Sequence, residues 1–265
     1  MRLAFRIRYL GTAFFGSRIQ PALRTVEGEF IEACRRLDLF EDWKAASLAF
    51  AGRTDRGVHA RGQVCAFTTD RPERAVSLLN VQLPRDCQAG GYCGVSDHFH
   101  PRYDAASRTY RYYWADQFPK MADMGEIARM FEGEHNFSSF ARIEEGHDPV
   151  RVVYSSRVFS EKEYTVFEIT AESFLWNMVR CMASVLGSVG TGVTGEVGVR
   201  RLLEEKRPRP AAAPAEGLVL WNVNCGIDFL PMDPAPRSRA YFAEMRRHHH
   251  RMDRICRLIR EDGDA

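Results

Sequence analysis

The order in which hydrophobic periodicity changes along the chain constrains its fold more tightly than any single residue. Residues 3–9 alternate apolar and polar side chains, as a half-buried strand does. A loop over 11–21 leads to Thr25, a candidate N-cap for a helix through about Leu37, with Phe30, Ile31, Cys34 and Leu37 at helical spacing. Strands are predicted over 46–51 and 63–69. A helix over 71–81 follows, with Pro72 in its first turn, where a missing N–H costs nothing. A strand over 88–95 completes the set.

The β-α-β-β-α-β order then recurs. It runs through a strand at 107–114, a short helix at 124–131, a hairpin of 150–159 with 164–171, helices at 176–189 and 197–206, and a strand at 218–223. The tandem predicts an α+β protein of two ferredoxin-like halves, whose antiparallel or mixed sheets can join into one. The expected divisions are 1–104, 105–230, and a linker with a C-terminal helical extension over 231–265. Pro101 interrupts the pattern near the first boundary.

Halves of this size can each bury a core. A hydrophobic content of 45% with 27% charged residues is that of a soluble globular protein. Arg2, Arg6 and Arg8 break the N-terminal apolar run, so no signal peptide is expected. The apolar stretch 174–189 is interrupted by Asn177 and Arg180 and is too short to span a bilayer. Seven cysteines, an odd number without C-x-x-C spacing, point to reduced thiols in a cytoplasm rather than to disulfides or structural zinc. His98 with His100, and His248 to His250, lack carboxylate or thiolate partners at metal spacing. No metal is expected.

The net charge of +2 is unevenly spread. Residues 237–260 hold eight arginines against Glu244 and Asp253, which leaves the remainder of the chain net negative. Lysine occurs only at positions 44, 120, 162 and 206, so 33 of the 37 basic residues are arginine. Arginine suits bidentate phosphate contacts, although a genomic base bias produces the same excess. Over 239–260 an apolar stripe of Tyr241, Phe242, Met245, Met252, Ile255, Cys256 and Ile259 opposes most of these arginines. The expectation is a helix docked on the body by its stripe, with its arginines turned to phosphates or simply to solvent.

The stretch most suited to chemistry is Gly52-Arg53-Thr54-Asp55-Arg56-Gly57-Val58-His59, on the connection between two predicted strands. A carboxylate between two arginines has a glycine on either side, and glycine permits positive φ and close backbone approach. Aspartate is ionised near neutrality, with an ordinary pKa of about 3.9. Asp55 can therefore act without a separate base. No dinucleotide fingerprint, Walker loop or Ser/His/Asp order accompanies it.

This octet closely resembles the G-R-T-D-x-G-V-H signature of the TruA family of tRNA pseudouridine synthases. Arg108-Thr-Tyr110-Arg-Tyr112 is similar to the family's R-x-Y-R-Y strand, and Phe174-Leu-Trp-Asn-Met-Val-Arg180 to its F-x-x-x-M-V-R helix start. Tyr9-Leu-Gly-Thr12, Thr25-Val-Glu-Gly28 and Pro214-Ala-Glu-Gly-Leu218 also fit, so the likeness spans about residues 1–228.

It implies a pseudouridine synthase fold and the isomerisation of uridine to pseudouridine in the anticodon stem-loop of tRNA, at positions 38 to 40, by a homodimer that needs no cofactor. By the same resemblance Asp55 is the catalytic residue. Arg180 steadies its carboxylate, Tyr110 stacks on the uracil, and Arg53 helps extrude the nucleotide. Attack at C1′, attack at C6 and a glycal route all stay open. Arg56 stands where the bacterial pattern has alanine, no tryptophan follows Gly16, and Ser173-Phe-Leu-Trp176 replaces an F-x-H-H version. These departures resemble an archaeal or eukaryotic-type branch. The alternative is a catalytically idle RNA-binding protein or tRNA chaperone of the same fold.

Overall fold

The computed structural model describes residues 1–143, 146, 148–205 and 208–260 of the 265. The predicted helix end at Lys206, its neighbour Arg207, and the acidic end at 261–265 lie outside the described residues.

The first half runs β1 (Arg2–Tyr9), α1 (Val26–Arg36), β2 (Ala49–Phe50), β3 (His59–Thr68), α2 (Pro72–Gln82) and β4 (Cys87–Val95). The second runs β5 (Ser107–Trp114), α3 (Met121–Arg129), β6 (Gly133–Asn136), β7 (Val150–Glu161), β8 (Tyr164–Ala171), α4 (Met178–Gly190), α5 (Glu196–Glu204) and β9 (Leu218–Asn224). A two-residue β10 (Leu230–Pro231) and the long α6 (Pro236–Arg260) follow. Thr25 caps α1 as the sequence suggests, its side chain accepting from Gly28 N.

One ten-stranded sheet carries both halves, in the order β10-β4-β1-β3-β9-β5-β8-β7-β6, with β2 also on β3. Within the first half, and within the second once the added edge strand β6 is set aside, the order is fourth-first-third-second, that of a ferredoxin-like unit. All pairs are antiparallel except the seam between the halves, where β3 and β9 pair in parallel through His59 with Val219 and Ala60 with Leu220. Each half packs its own core. Phe5, Val64 and Phe67 of the sheet meet Phe30, Cys34, Ala75 and Leu79 of α1 and α2. Phe167 and Ile169 meet Met124 and Ile127 of α3 and Met178, Met182, Val185 and Leu186 of α4. Each large apolar side chain buried in this way stabilises the fold by roughly 1.5–3 kcal/mol.

Several expectations need correction. The strand predicted at 46–51 shrinks to Ala49–Phe50 because Ser47 takes a φ of +50°. Turn bonds occupy the preceding backbone, with Ser47 N donating to Lys44 O and Leu48 N to Trp43 O. Strand β3 begins at His59 rather than 63, since Ala60 pairs with both Tyr9 and Leu220. The helix placed from Trp176 starts at Met178, because Asn177 sits in the left-handed region and Trp176 bridges to Arg142. β6 and β10 are additions to the expected set.

The stripe of α6 docks only through its first turns. Ser238 is buried and Met245 half-buried, whereas Met252, Ile255 and Ile259 are 40, 43 and 73% exposed. Among the described residues no helix is long and apolar enough to cross a membrane.

Candidate active site

A strand has two edges, and the use of those of β3 explains where the Asp55 loop emerges. β1 runs along one edge from Ala60 to Thr68. The other edge is shared, β2 taking Cys65 and Ala66 while β9 takes His59 and Ala60. Chain leaving β2 for the start of β3 must therefore loop out between the two halves, and residues 51–58 do so.

Both feet of the loop are tied down. Ala51 N donates to Val64 O at 2.8 Å, and Gln63 Nε2 donates to Gly52 O at 2.8 Å. Thr54 is held from three sides: its N–H donates to Ser17 Oγ at 2.8 Å, its carbonyl accepts from Ser17 N at 3.0 Å, and its hydroxyl meets the Tyr9 hydroxyl at 2.8 Å. With Thr54 buried and fixed, the next side chain along, Asp55, faces the gap between the halves. Val58 N donating to Asp55 O at 3.2 Å closes the turn. Gly57 has a φ of +85°, and a Cβ there would lie 3.2 Å from Ala215 Cβ, so glycine is required for both of the reasons its sequence position suggests. Gly52 meets neither condition: its φ is ordinary and a Cβ would point into open space.

The second half supplies what meets the carboxylate. Arg180, in the first turn of α4, is pinned by an exchange with Ala213. Its Nε donates to Ala213 O at 2.7 Å, and Ala213 N donates to Arg180 O at 3.0 Å. That leaves Nη1 directed at Asp55 Oδ2, 3.5 Å away, with the two side chains 19% and 33% exposed. The pair is loose and partly wet, so its Coulombic worth is of the order of 1 kcal/mol or less.

Asn177 makes the shorter contact. With its amide oriented so that each end meets a complementary group, the nitrogen donates to Asp55 Oδ2 at 2.9 Å and the oxygen accepts from Arg209 at 3.0 Å. Its φ of 65° and ψ of 1° place it in the left-handed region, which asparagine tolerates better than most residues.

Tyr110 lies on β5 opposite Leu220 and Ile169, between the two cores, with its ring edge-on to Phe174 at 5.1 Å. Burial pushes its phenol up to about 12, with Arg108 opposing and the charge of Asp55 adding to the rise. Near neutrality it is an uncharged ring with a hydroxyl proton. That hydroxyl has no hydrogen-bond partner among the described residues.

Of the four residues singled out from sequence, Asp55, Arg180 and Tyr110 converge here. Arg53 stands exposed at the rim, without an ion pair among the described residues. Arg56, which sequence leaves without a role, lies 4.5 Å over the ring of Phe15.

Besides Asn177, two more residues outside the expected set organise the site. Arg108 donates to four backbone carbonyls: Ala51 at the foot of the loop, Arg102 and Ala105 before β5, and Glu172 after β8. Its place two residues before Tyr110 on a strand, hence on the same face, is the available signal. His59 bridges the halves. Gly11 N donates to its Nδ1 at 2.8 Å, so Nε2 carries the proton and donates to Glu216 O at 3.1 Å. Burial lowers its pKa and keeps the ring neutral.

The ensemble is a single carboxylate held by an amide and a guanidinium, beside a protonated phenol and under a rim of arginines. Among the described residues no group of three or more His, Cys, Asp or Glu is arranged to hold a metal ion.

A family model described as tRNA pseudouridine synthase matches residues 127–224. Over whole chains, the tRNA pseudouridine synthase A of Methanoculleus marisnigri is 51% identical across 263 residues, covering 99% of this chain and 97% of its own. That of Methanosphaerula palustris is 51% identical across 264 residues, covering 99% and 94%. That of Methanocorpusculum labreanum is 48% identical across 236 residues, covering 88% and 83%.

Proposed function

The chain belongs to the TruA family of tRNA pseudouridine synthases, and on that premise we propose that Asp55 opens the reaction on a uridine of the anticodon stem-loop. The protein is an enzyme that isomerises uridine to pseudouridine in tRNA. The three relatives named above are archaeal, in keeping with the departures from the bacterial pattern at Arg56 and at Ser173-Phe-Leu-Trp176.

In the reaction the N1–C1′ bond breaks, the base turns, and C5 bonds to C1′. The hydrogen on C5 leaves to solvent and N1 ends protonated, so nothing is oxidised and no group is donated. Each of the three routes needs a carboxylate against the flipped nucleotide, and Asp55 supplies it as nucleophile or base. Asn177 and Arg180 hold and aim that carboxylate. Tyr110 offers its ring to the uracil. Its protonated hydroxyl can give a hydrogen bond or pass on a proton, but it is no phenolate base at neutral pH.

Arg53, unpaired at the rim among the described residues, fills the stem as the nucleotide leaves the stack. That step costs a few kcal/mol, which contacts to the rest of the RNA must offset. Positions 38 to 40, like action as a homodimer, rest on the motif resemblance. A cytoplasmic setting rests on that resemblance and on the seven free cysteines.

One observation carries the catalytic reading: among the described residues, the side chains that touch the Asp55 carboxylate both come from the half that does not contain it. The test is tritium release from tRNA labelled at C5 of uridine, followed by mapping of pseudouridine in the product. The wild type should release tritium from positions 38 to 40 and Asp55→Asn should not. Equal release by the two proteins would remove Asp55 from the chemistry, and release from other positions would remove the stem-loop assignment.

A further inference from the structure

The helix α6 is 25 residues, about 37 Å, long and is held only at its root. Arg237 donates to the carbonyls of Val81 and Leu83, Ser238 is buried, and the ring of Tyr241 lies 4.8 Å under the guanidinium of Arg85. These partners belong to the end of α2 and the turn into β4. The same turn is tied to the catalytic end of the sheet. Leu10 N donates to Asp86 O, and the Asp86 carboxylate takes both arms of Arg24 at 2.8 Å.

Strand register places Cys87 beside Tyr9 and Tyr9 beside Ala60. The start of β4, which follows the turn that holds α6, therefore stands two strands, about 10 Å, from the start of β3, where the Asp55 loop ends. Past Met245, every residue from Arg246 to Leu258 is exposed. At roughly 100° per residue, Arg246, Arg247, Arg251, Arg254 and Arg257 fall within about 140° of the helix surface. Arg257 pairs with Asp253, but Arg246, Arg247, Arg251 and Arg254 have no carboxylate partner among the described residues. This is the most basic segment of a chain that is otherwise net negative.

We propose that this arginine face is a second tRNA-binding surface, which grips backbone phosphates of the substrate outside the stem-loop that enters the site. The proposal rests on the tRNA-modifying reading of that site and adds to it a grip that the site does not contain. Charge complementarity favours RNA over a second copy of the helix, since two such faces would repel each other. Guanidinium groups on a rigid rod match phosphates without reading sequence, so the face should favour tRNA over its isolated stem-loop whatever the bases.

The test is the full chain carrying Arg246→Gln, Arg247→Gln, Arg251→Gln and Arg254→Gln together. Binding is titrated against salt, and tritium release is measured on whole tRNA and on an isolated anticodon stem-loop with the same uridine. For whole tRNA the slope of log affinity against log salt should become shallower by about 3 to 4, at roughly 0.9 for each phosphate no longer neutralised. KM for whole tRNA should rise while turnover of the stem-loop stays at the wild-type level.

An unchanged salt slope would overturn the proposal, as would an equal loss on both RNAs. A shift in oligomeric state with an unchanged slope would also overturn it and make the face an interface between copies. Failure of the wild type to release tritium from either RNA would count against the reading of the site, and the salt slope would still decide the role of the helix.

Discussion

Removing the Asn177 amide should disable the enzyme without unfolding it. The amide donates to Asp55 Oδ2 at 2.9 Å, a shorter approach than the 3.5 Å from Arg180. A hydrogen bond to a charged group is worth about 1.5–3 kcal/mol. If all of it serves to aim the carboxylate, its loss lowers kcat/KM by roughly 10- to 150-fold.

The backbone decides which variant isolates that effect. Asn177 has a φ of 65°, so Asn177→Gly keeps the turn into α4, whereas Asn177→Ala adds about 1–2 kcal/mol of left-handed strain. The expectation is equal catalytic loss in both variants, with lowered urea stability in the alanine variant alone. Tritium release with and without excess tRNA separates kcat from KM, and urea unfolding reads stability. Asn177→Gly with wild-type kcat/KM would refute the reasoning, because the bond would then be present without directing the carboxylate.

Two further outcomes follow from the site. Tyr110→Phe keeps the ring and removes the hydroxyl, so kcat should fall about 100-fold or more while the affinity for tRNA holds; an unchanged kcat would confine Tyr110 to stacking. His59 is half-buried, and desolvation holds its pKa below its ordinary 6.5. The unfolded chain therefore binds the extra proton first. Stability should be full above about 6.5, decline as pH drops below that value, and level off beneath the folded pKa, and His59→Gln should flatten this dependence of Tm on pH.

Much of the element order is legible because burial imposes periodicity, and both halves bury one face of each element. Thr25, Pro72 and the 107–114 strand can be read to the residue because their chemistry is local. Asp55 stands out for its glycines and arginines, and Arg180, 125 residues away, through motif likeness. What stays hidden depends on meetings through space. Arg108 is organised by backbone carbonyls, which every residue owns and no sequence displays. Asn177 acts through a backbone angle and one amide, neither of which leaves a pattern. The four residues of β6 and the two of β10 are too few to carry a period. The free end of α6 lacks a docking surface for a reason no helical wheel contains: the body of the protein reaches only its first three turns.

The parallel seam of β3 and β9 is only two residue pairs long, so side chains carry much of the joint on which the site depends: Arg108 reaches Ala51, and His59 reaches Glu216. Leu220 and Val223 of β9 lie in the core of the first half and Val58 in that of the second, so parting the halves would open both cores and take Arg180 and Asn177 from Asp55 together. Separating the halves therefore removes the chemistry by opening both cores rather than by a local breathing of the sheet. Activity and the fold of both halves should fail together in urea, and a loss of activity that precedes unfolding would refute this coupling.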